Sequence, residues 1–286
     1  MKNDLPSFFI TPKQTINKYN FKPYKGKGQN FLIDPDSLYK IVEFSQFSAD
    51  DIVLEIGAGI GNLTILILQK VKKLYAVEKD KRLVNIISNE LQDFKNLRII
   101  NDDILKLNLS NFVKDKGEAI KVIGNLPYNI STPVLFNLME ERKFFSCAIL
   151  MFQKEFGQRI IASCGSKDYG ILAVFCQTFF NIKKGHVISP KCFFPVPKVE
   201  SIVVKLIPKK DIKINNNMEK EFKILVRSAF GNRRKTLKNA LIASSLPIKK
   251  DDIVNGIKKA CISLDRRPET LSTDEFCHLT KILFST

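Results

Sequence analysis

The sequence holds no tryptophan and only two histidines, His186 and His278. Its six cysteines, Cys147, Cys164, Cys176, Cys192, Cys261 and Cys277, form no Cys-x-x-Cys pair. Zinc-ligand spacing is therefore missing, and so is a histidine or cysteine constellation for nucleophilic chemistry. Several cysteines sit in apolar runs, where a reduced core thiol is the ordinary state, so a reducing compartment is expected. No apolar run approaches a membrane span, and Leu5 to Ile10, broken by Pro6, is too short for a signal-peptide core. A soluble cytoplasmic protein without a membrane partner is the expectation. Acidic residues are scarce too: 29 Asp and Glu face 46 Lys and Arg, a net charge of +17. That imbalance favours a polyanionic partner, nucleic acid first. What remains, 286 residues at 44% hydrophobic, suffices for a main domain and a smaller one.

Residues 1–24 are basic and proline-broken, with Lys13, Lys18 and Lys22 among them, and read as a poorly ordered arm that touches the partner. Asp34-Pro35 is a helix cap and first-turn proline ahead of Leu38, Ile41, Val42 and Phe44. Strands then alternate with helices. The strands are 52–56, 74–78, 97–100, 120–123 and 147–152; helices follow near 63, 79, 131 and 153. This is the pattern of an α/β, Rossmann-like parallel sheet with helices on both faces. Residues 175–188 and 201–206 read as paired strands around Phe193-Phe194-Pro195-Val196-Pro197. A polar linker at 214–217 leads to four helices, 218–230, 233–243, 251–260 and 273–283. One boundary is expected, giving domains at 25–210 and 211–286, the second all-helical.

Gly57, Gly59 and Gly61 follow the first of these strands directly. Small residues there let the backbone approach a ligand, and the next helix offers free N–H groups. Glu78 ends the second strand about twenty residues on, the spacing that grips a ribose diol. Asn62 stands where a pyrophosphate fingerprint places its third glycine, which argues for an adenosine moiety over a dinucleotide. Asp103, or Asp102 beside it, ends the third strand and can accept from an adenine amine. The stretch Gly124-Asn125-Leu126-Pro127-Tyr128-Asn129-Ile130-Ser131 closes the fourth. Pro127 disfavours the helical region for Leu126 and offers no N–H. An acceptor-rich edge beside an aromatic ring results, suited to the exocyclic amine of a flat base. A helix start follows at Ser131-Thr132-Pro133, with a capping hydroxyl. Helix caps, solvated strand ends and an ordinary strand-to-helix turn are the blander readings of the same residues.

Taken together these residues resemble the S-adenosylmethionine-dependent adenine-N6 methyltransferases. The specific match is to the small-subunit (16S) ribosomal RNA adenine N6,N6-dimethyltransferase family. Gly28-Gln29-Asn30-Phe31-Leu32 is similar to its N-terminal signature and Gly124–Thr132 to its catalytic one. The loop Phe193-x-Pro195-x-Pro197-Lys198-Val199-x-Ser201 and the block Arg227-x-x-Phe230 with Arg233-Arg234-Lys235-Thr236-Leu237 complete the likeness. The resemblance implies a class I methyltransferase sheet and S-adenosyl-L-methionine as cofactor, left as S-adenosyl-L-homocysteine. Gln29, Asn30, Leu32, Gly57, Gly59, Glu78, Asp103 and Asn125 would hold that cofactor. Asn125 and the Leu126 carbonyl would accept the two N6 hydrogens and free the nitrogen lone pair, with Tyr128 and Phe193 stacking on the base. No metal is needed, because a sulfonium methyl is already activated. Arg227, Arg233, Arg234 and Lys235 would contact RNA. The implied reaction dimethylates two adjacent adenosines near the 3′ end of the small-subunit rRNA, in the assembling 30S subunit, with the protein acting as a monomer in ribosome biogenesis. Two alternatives stay open: a large-subunit rRNA methyltransferase of the macrolide-resistance type, and an assembly factor whose catalysis is secondary.

Overall fold

The computed structural model describes residues 11–24, 29–113, 119–232 and 234–284. Arg233, Lys25, Lys27 and Gly28 lie outside them, as does the side chain of Lys13.

The described part of the N-terminal arm is a helix, not loose chain. Thr11 and Gln14 form a capping box, Pro12 occupies the first turn, and α1 runs Pro12–Tyr19. Thr15 and Phe21 are buried, and Phe21 joins Phe31, Ile60, Leu83 and Ile86 in a small apolar cluster. Lys18 Nζ donates to Glu90 at 2.7 Å. An apolar anchor and an ion pair thus order a segment whose composition reads as mobile.

The elements that follow are β1 (Phe31–Leu32), α2 (Pro35–Ser45), β2 (Ile52–Ile56), α3 (Asn62–Leu68), β3 (Lys73–Val77), α4 (Lys81–Glu90), β4 (Leu97–Ile100), β5 (Ile120–Asn125), α5 (Ser131–Glu140), β6 (Phe145–Gln153) and α6 (Lys154–Ile161). After these come α7 (Ile171–Phe179), β7 (Phe180–Ile188), β8 (Phe193–Phe194), β9 (Ser201–Pro208), α8 (Glu219–Phe230), α9 (Leu237–Ile242), α10 (Lys250–Lys259) and α11 (Thr273–Phe284). Seven strands form one sheet in the order β4-β3-β2-β5-β6-β9-β7. The pairs among the first five are parallel, and β9 runs antiparallel to β6. Alternation places Cys147, Ile149 and Met151 of β6 in a cluster with Leu38, Ile41 and Val42 of α2 and residues 65–68 of α3. A Cβ at Gly157 would collide with Ile202 Cγ2, so α6 meets β9 where only glycine fits.

Three expectations need correction. Residues 171–179 form α7, not the start of a strand: Ile171–Phe179 is apolar on nearly every face, and such a run does not declare its period. Ser131 is the first residue of α5 and not its cap; a 3-10 turn over Tyr128–Ile130 feeds the helix, and no side chain caps it. The chain also divides three times, not once. One compact unit comprises residues up to Gly157 with Lys183–Pro208; the other comprises Gln158–Ile182 with the residues from Lys209 onward. The second unit claims α7 because Phe175 and Phe179 pack on Phe222 of α8, with ring centroids 5.8 and 6.1 Å apart.

Candidate active site

Strand order reverses between β2 and β5: the chain builds outward through β3 and β4, then returns to β2's other side for β5 and β6. The carboxyl ends of strands on either side of such a reversal leave a crevice. A cavity of about 280 Å³ opens there, lined by residues that end β2, β3 and β5 and by the segment leading into β1.

The glycine loop forms its floor. Gly57, Gly59 and Gly61 have φ values of 75°, 62° and 87°, a region that side chains resist. A Cβ at Gly59 would also come within 3.1 Å of the Phe31 ring. The loop is tied to β3 by Gly57 N–H donating to the Val77 carbonyl at 2.8 Å. Glu78 then receives the Gly59 N–H at 3.0 Å on one oxygen and the Asp80 N–H at 2.8 Å on the other. Each carboxylate oxygen keeps a lone pair for a ribose hydroxyl. Burial raises the Glu78 pKa above its ordinary value, and these two N–H groups work against that shift.

Deeper in β2, Glu55 is 1% exposed and accepts from Thr64 Oγ1 at 2.7 Å. Burial pushes its pKa up to about 7, the Thr64 bond resists, and the nearby Glu78 adds to the rise. Asp103 differs: Lys79 Nζ at 2.7 Å holds its carboxyl below the usual range, and its other oxygen accepts from Leu105 N–H. Asp102 accepts from the Asp103 N–H at 2.7 Å. Glu55, Glu78, Asp80, Asp102 and Asp103 all line the cavity, and among the described residues Lys79 is the one basic side chain that does. A protein of net charge +17 has built an acidic pocket.

Two amides clamp the segment that enters β1. Asn125 Nδ2 donates to the Asn30 carbonyl and Asn62 Nδ2 to the Leu32 carbonyl, each at 3.0 Å. Asn30 and Leu32 are two residues apart, so both carbonyls project from the same edge of an extended strap. A carbonyl only accepts, so this contact fixes which end of the Asn125 amide faces the strap and leaves Oδ1 as the acceptor. Gln29 belongs to the same strap, with Nε2 donating to Asp80 Oδ2 at 3.0 Å. In the sequence Asn62 is legible only as the wrong residue for a dinucleotide loop. Its role is a contact across thirty positions that no local pattern announces.

Gln29, Asn30, Leu32, Gly57, Gly59, Glu78, Asp103, Asn125, Leu126 and Tyr128 therefore meet at one cavity. Tyr128 is half-buried, with Oη 3.1 Å from Ser201 Oγ. Phe193 does not join them. It is 1% exposed, pairs with Leu32 across the short β1–β8 ladder, and sits in the core cluster. Its side chain is packed within that cluster and is not among the residues that line the cavity. Arg227 is exposed near the end of α8. Arg234 and Lys235 are exposed but precede α9, whose cap is Thr236, so they stand in a turn and not along a helix.

The residues suit S-adenosylmethionine: hydroxyl acceptors at Glu78, close backbone at Gly57 and Gly59, and acidic lining for a cationic ligand. A pyrophosphate would meet these carboxylates unfavourably.

A family model described as ribosomal RNA adenine dimethylase matches residues 20–284. The ribosomal RNA small subunit methyltransferase A of Clostridium acetobutylicum is 39% identical over 272 residues, 95% of this chain and 98% of that one. The protein of the same name from Alkaliphilus metalliredigens is 40% identical over 277 residues, 95% and 96% of the two chains. Among solved structures, a dimethyladenosine transferase from Plasmodium falciparum aligns with a TM-score of 0.76 at 30% identity, covering 87% of this chain and 95% of that one. The 23S rRNA methyltransferase ErmE aligns with a TM-score of 0.67 at 21% identity, 88% and 99% covered, a likeness of fold.

Proposed function

This chain belongs to the ribosomal RNA adenine dimethylase family, and on that premise we propose how its pocket carries out the reaction. It is an S-adenosylmethionine-dependent rRNA adenine dimethyltransferase that acts on small-subunit rRNA. The targets are two adjacent adenosines near the 3′ end, within the assembling 30S subunit, and the protein acts in the cytoplasm as a monomer. The observation that carries the reading is the acidic cavity ending in an asparagine whose amide is held in one orientation.

S-adenosylmethionine would supply a methyl group on an already electrophilic sulfonium. Glu78 would hold its ribose, Asp103 or Asp102 its adenine amine, and the strap from Gln29 to Leu32 would close over it. The target adenine leaves its stack to enter the pocket. Its N6 is a poor nucleophile, because the lone pair is delocalised into the ring. Asn125 Oδ1 and the Leu126 carbonyl accept the two N6 hydrogens, which draws the nitrogen towards tetrahedral geometry and localises that lone pair. These acceptors act most strongly as positive charge grows on N6, so they stabilise the transition state more than the ground state. Tyr128 stacks on the base, and the proton released from N6 leaves to water. Arg227, Arg234 and Lys235, with Arg233 beside them in sequence, supply phosphate contacts in the second unit.

Asn125→Ala tests the reading. Methyl transfer to small subunits that lack the modification should fall by roughly 100-fold or more at saturating S-adenosylmethionine, beyond whatever cofactor affinity is lost when the Asn30 carbonyl is released. Unchanged turnover would refute the role of Asn125. Mass spectrometry of rRNA from cells with and without the gene should show adjacent dimethyladenosines only in the former.

A further inference from the structure

Residues 193–201 do more than join two strands. Side chains alternate in β8, so while Phe193 is buried, Phe194 is 37% exposed. Val196 and Val199 follow at 63% and 43%. Single exposed apolar side chains are common, but three large ones within six residues form a patch. Lys198 lies between them. Pro195 and Pro197 fix φ at two positions, so the segment holds its side chains outward with little chain freedom left to lose on binding.

Both ends of this segment are fastened to the pocket wall. Phe194 is the register partner of Phe31, and the Ile33 N–H donates to the Cys192 carbonyl at 2.8 Å. At the far end Ser201 Oγ lies 3.1 Å from Tyr128 Oη. Phe31 and Tyr128 both line the cavity, so the segment that carries the exposed side chains is anchored at each end to a residue of the cavity wall.

A base that enters the pocket leaves its neighbour in the chain unstacked. That neighbour needs a flat apolar surface outside the pocket, with a cation nearby for the phosphate. We propose that Phe194, flanked by Val196 and Val199, is the stacking seat for the nucleobase adjacent to the one being methylated, with Lys198 near the connecting phosphate. This rests on the function proposed above and assigns a second nucleotide to the same site. Adjacent bases stack on exposed aromatic side chains in this way wherever single-stranded RNA is held. Phe193 and Phe194 thereby divide two jobs by strand alternation: one packs under β1, the other receives RNA.

The chain has no tryptophan, so Phe194→Trp introduces a single indole fluorophore at the seat. Titration with small subunits lacking the modification should quench its emission as the base stacks. Emission unchanged at subunit concentrations that saturate methyl transfer would overturn the proposal. So would quenching by anionic phosphatidylglycerol vesicles and not by subunits. In parallel, Phe194→Ala should raise KM for small subunits about tenfold with no change in S-adenosylmethionine affinity, and Phe194→Tyr should restore it. A KM equal to wild type would overturn the seat while leaving the methyltransferase reading intact. A wild-type protein that fails to methylate small subunits would instead overturn the function itself.

Discussion

Replacing Glu55 with glutamine should make the first unit more stable at neutral pH. The carboxyl is fully buried, and its pKa stands near 7 against 4.5 in an unstructured chain. The folded state therefore holds this proton more tightly than the unfolded state does. Between about pH 4.5 and pH 7 the folded protein carries the extra proton, so stability falls as pH rises through that window. The whole difference corresponds to roughly 3 kcal/mol, of which about 2 kcal/mol lies between pH 5 and pH 7.5. Glutamine keeps the acceptor for Thr64 Oγ1 without the charge. Urea unfolding of both proteins at a series of pH values, followed by circular dichroism, measures the effect, and comparing the two cancels the titrating groups other than Glu78, whose charge Glu55 feels. The wild type should lose about 2 kcal/mol more than the variant from pH 5 to pH 7.5. Stability–pH curves that run parallel would refute the argument. A buried carboxylate this costly has a use if its partner is a cation. Glu55→Gln should therefore weaken binding of the sulfonium S-adenosylmethionine more than that of the neutral thioether S-adenosylhomocysteine.

Asn62→Ala strands the Leu32 carbonyl, a change that costs about 1–3 kcal/mol when an acceptor stays buried. Amide hydrogen exchange across residues 29–33 should quicken and the KM for S-adenosylmethionine should rise; unaltered exchange would remove Asn62 from the clamp. Asn62→Asp should be worse, since it sets a carboxylate against a carbonyl. Reversing charge at Arg234 and Lys235 should weaken binding to small subunits and reduce the slope of log affinity against log salt by about one for each phosphate no longer neutralised. An unchanged slope would exclude that turn from the RNA interface.

The sheet is readable in the sequence because glycines and acids punctuate it. Gly57 follows β2, Glu78 follows β3, and Asn125 ends β5 where an apolar run meets a proline. Each signal is local and names both an element's end and the chemistry placed there. Features that are non-local or lack contrast cannot be read this way. Ile171–Phe179 has no polar side to set its period. The inward turn of Phe193 depends on pairing with Leu32, more than 150 positions away in the chain. The strap's hold on Asn125 is a side chain meeting a distant backbone carbonyl, invisible to any motif. The first helix is hidden for another reason: Thr11-Pro12-Lys13-Gln14 is a capping box, overshadowed by the lysines and prolines around it.

The triple crossing between units bears on how the chain is made. β7 is synthesised before β9, yet in the sheet β9 lies between it and β6. As the chain leaves the ribosome, β7 has no strand to join until Pro208 has emerged. The wait is longer for α7, whose Phe175 and Phe179 find Phe222 only after the linker has been translated. The sheet is thus completed while an apolar helix of the other unit still lacks its partner. A chain cut after Pro208, at the linker where composition invites the cut, would carry that helix without the ring it packs on. The two units cannot be exchanged between relatives as consecutive cassettes; any graft of the second must bring residues 158–182 with it.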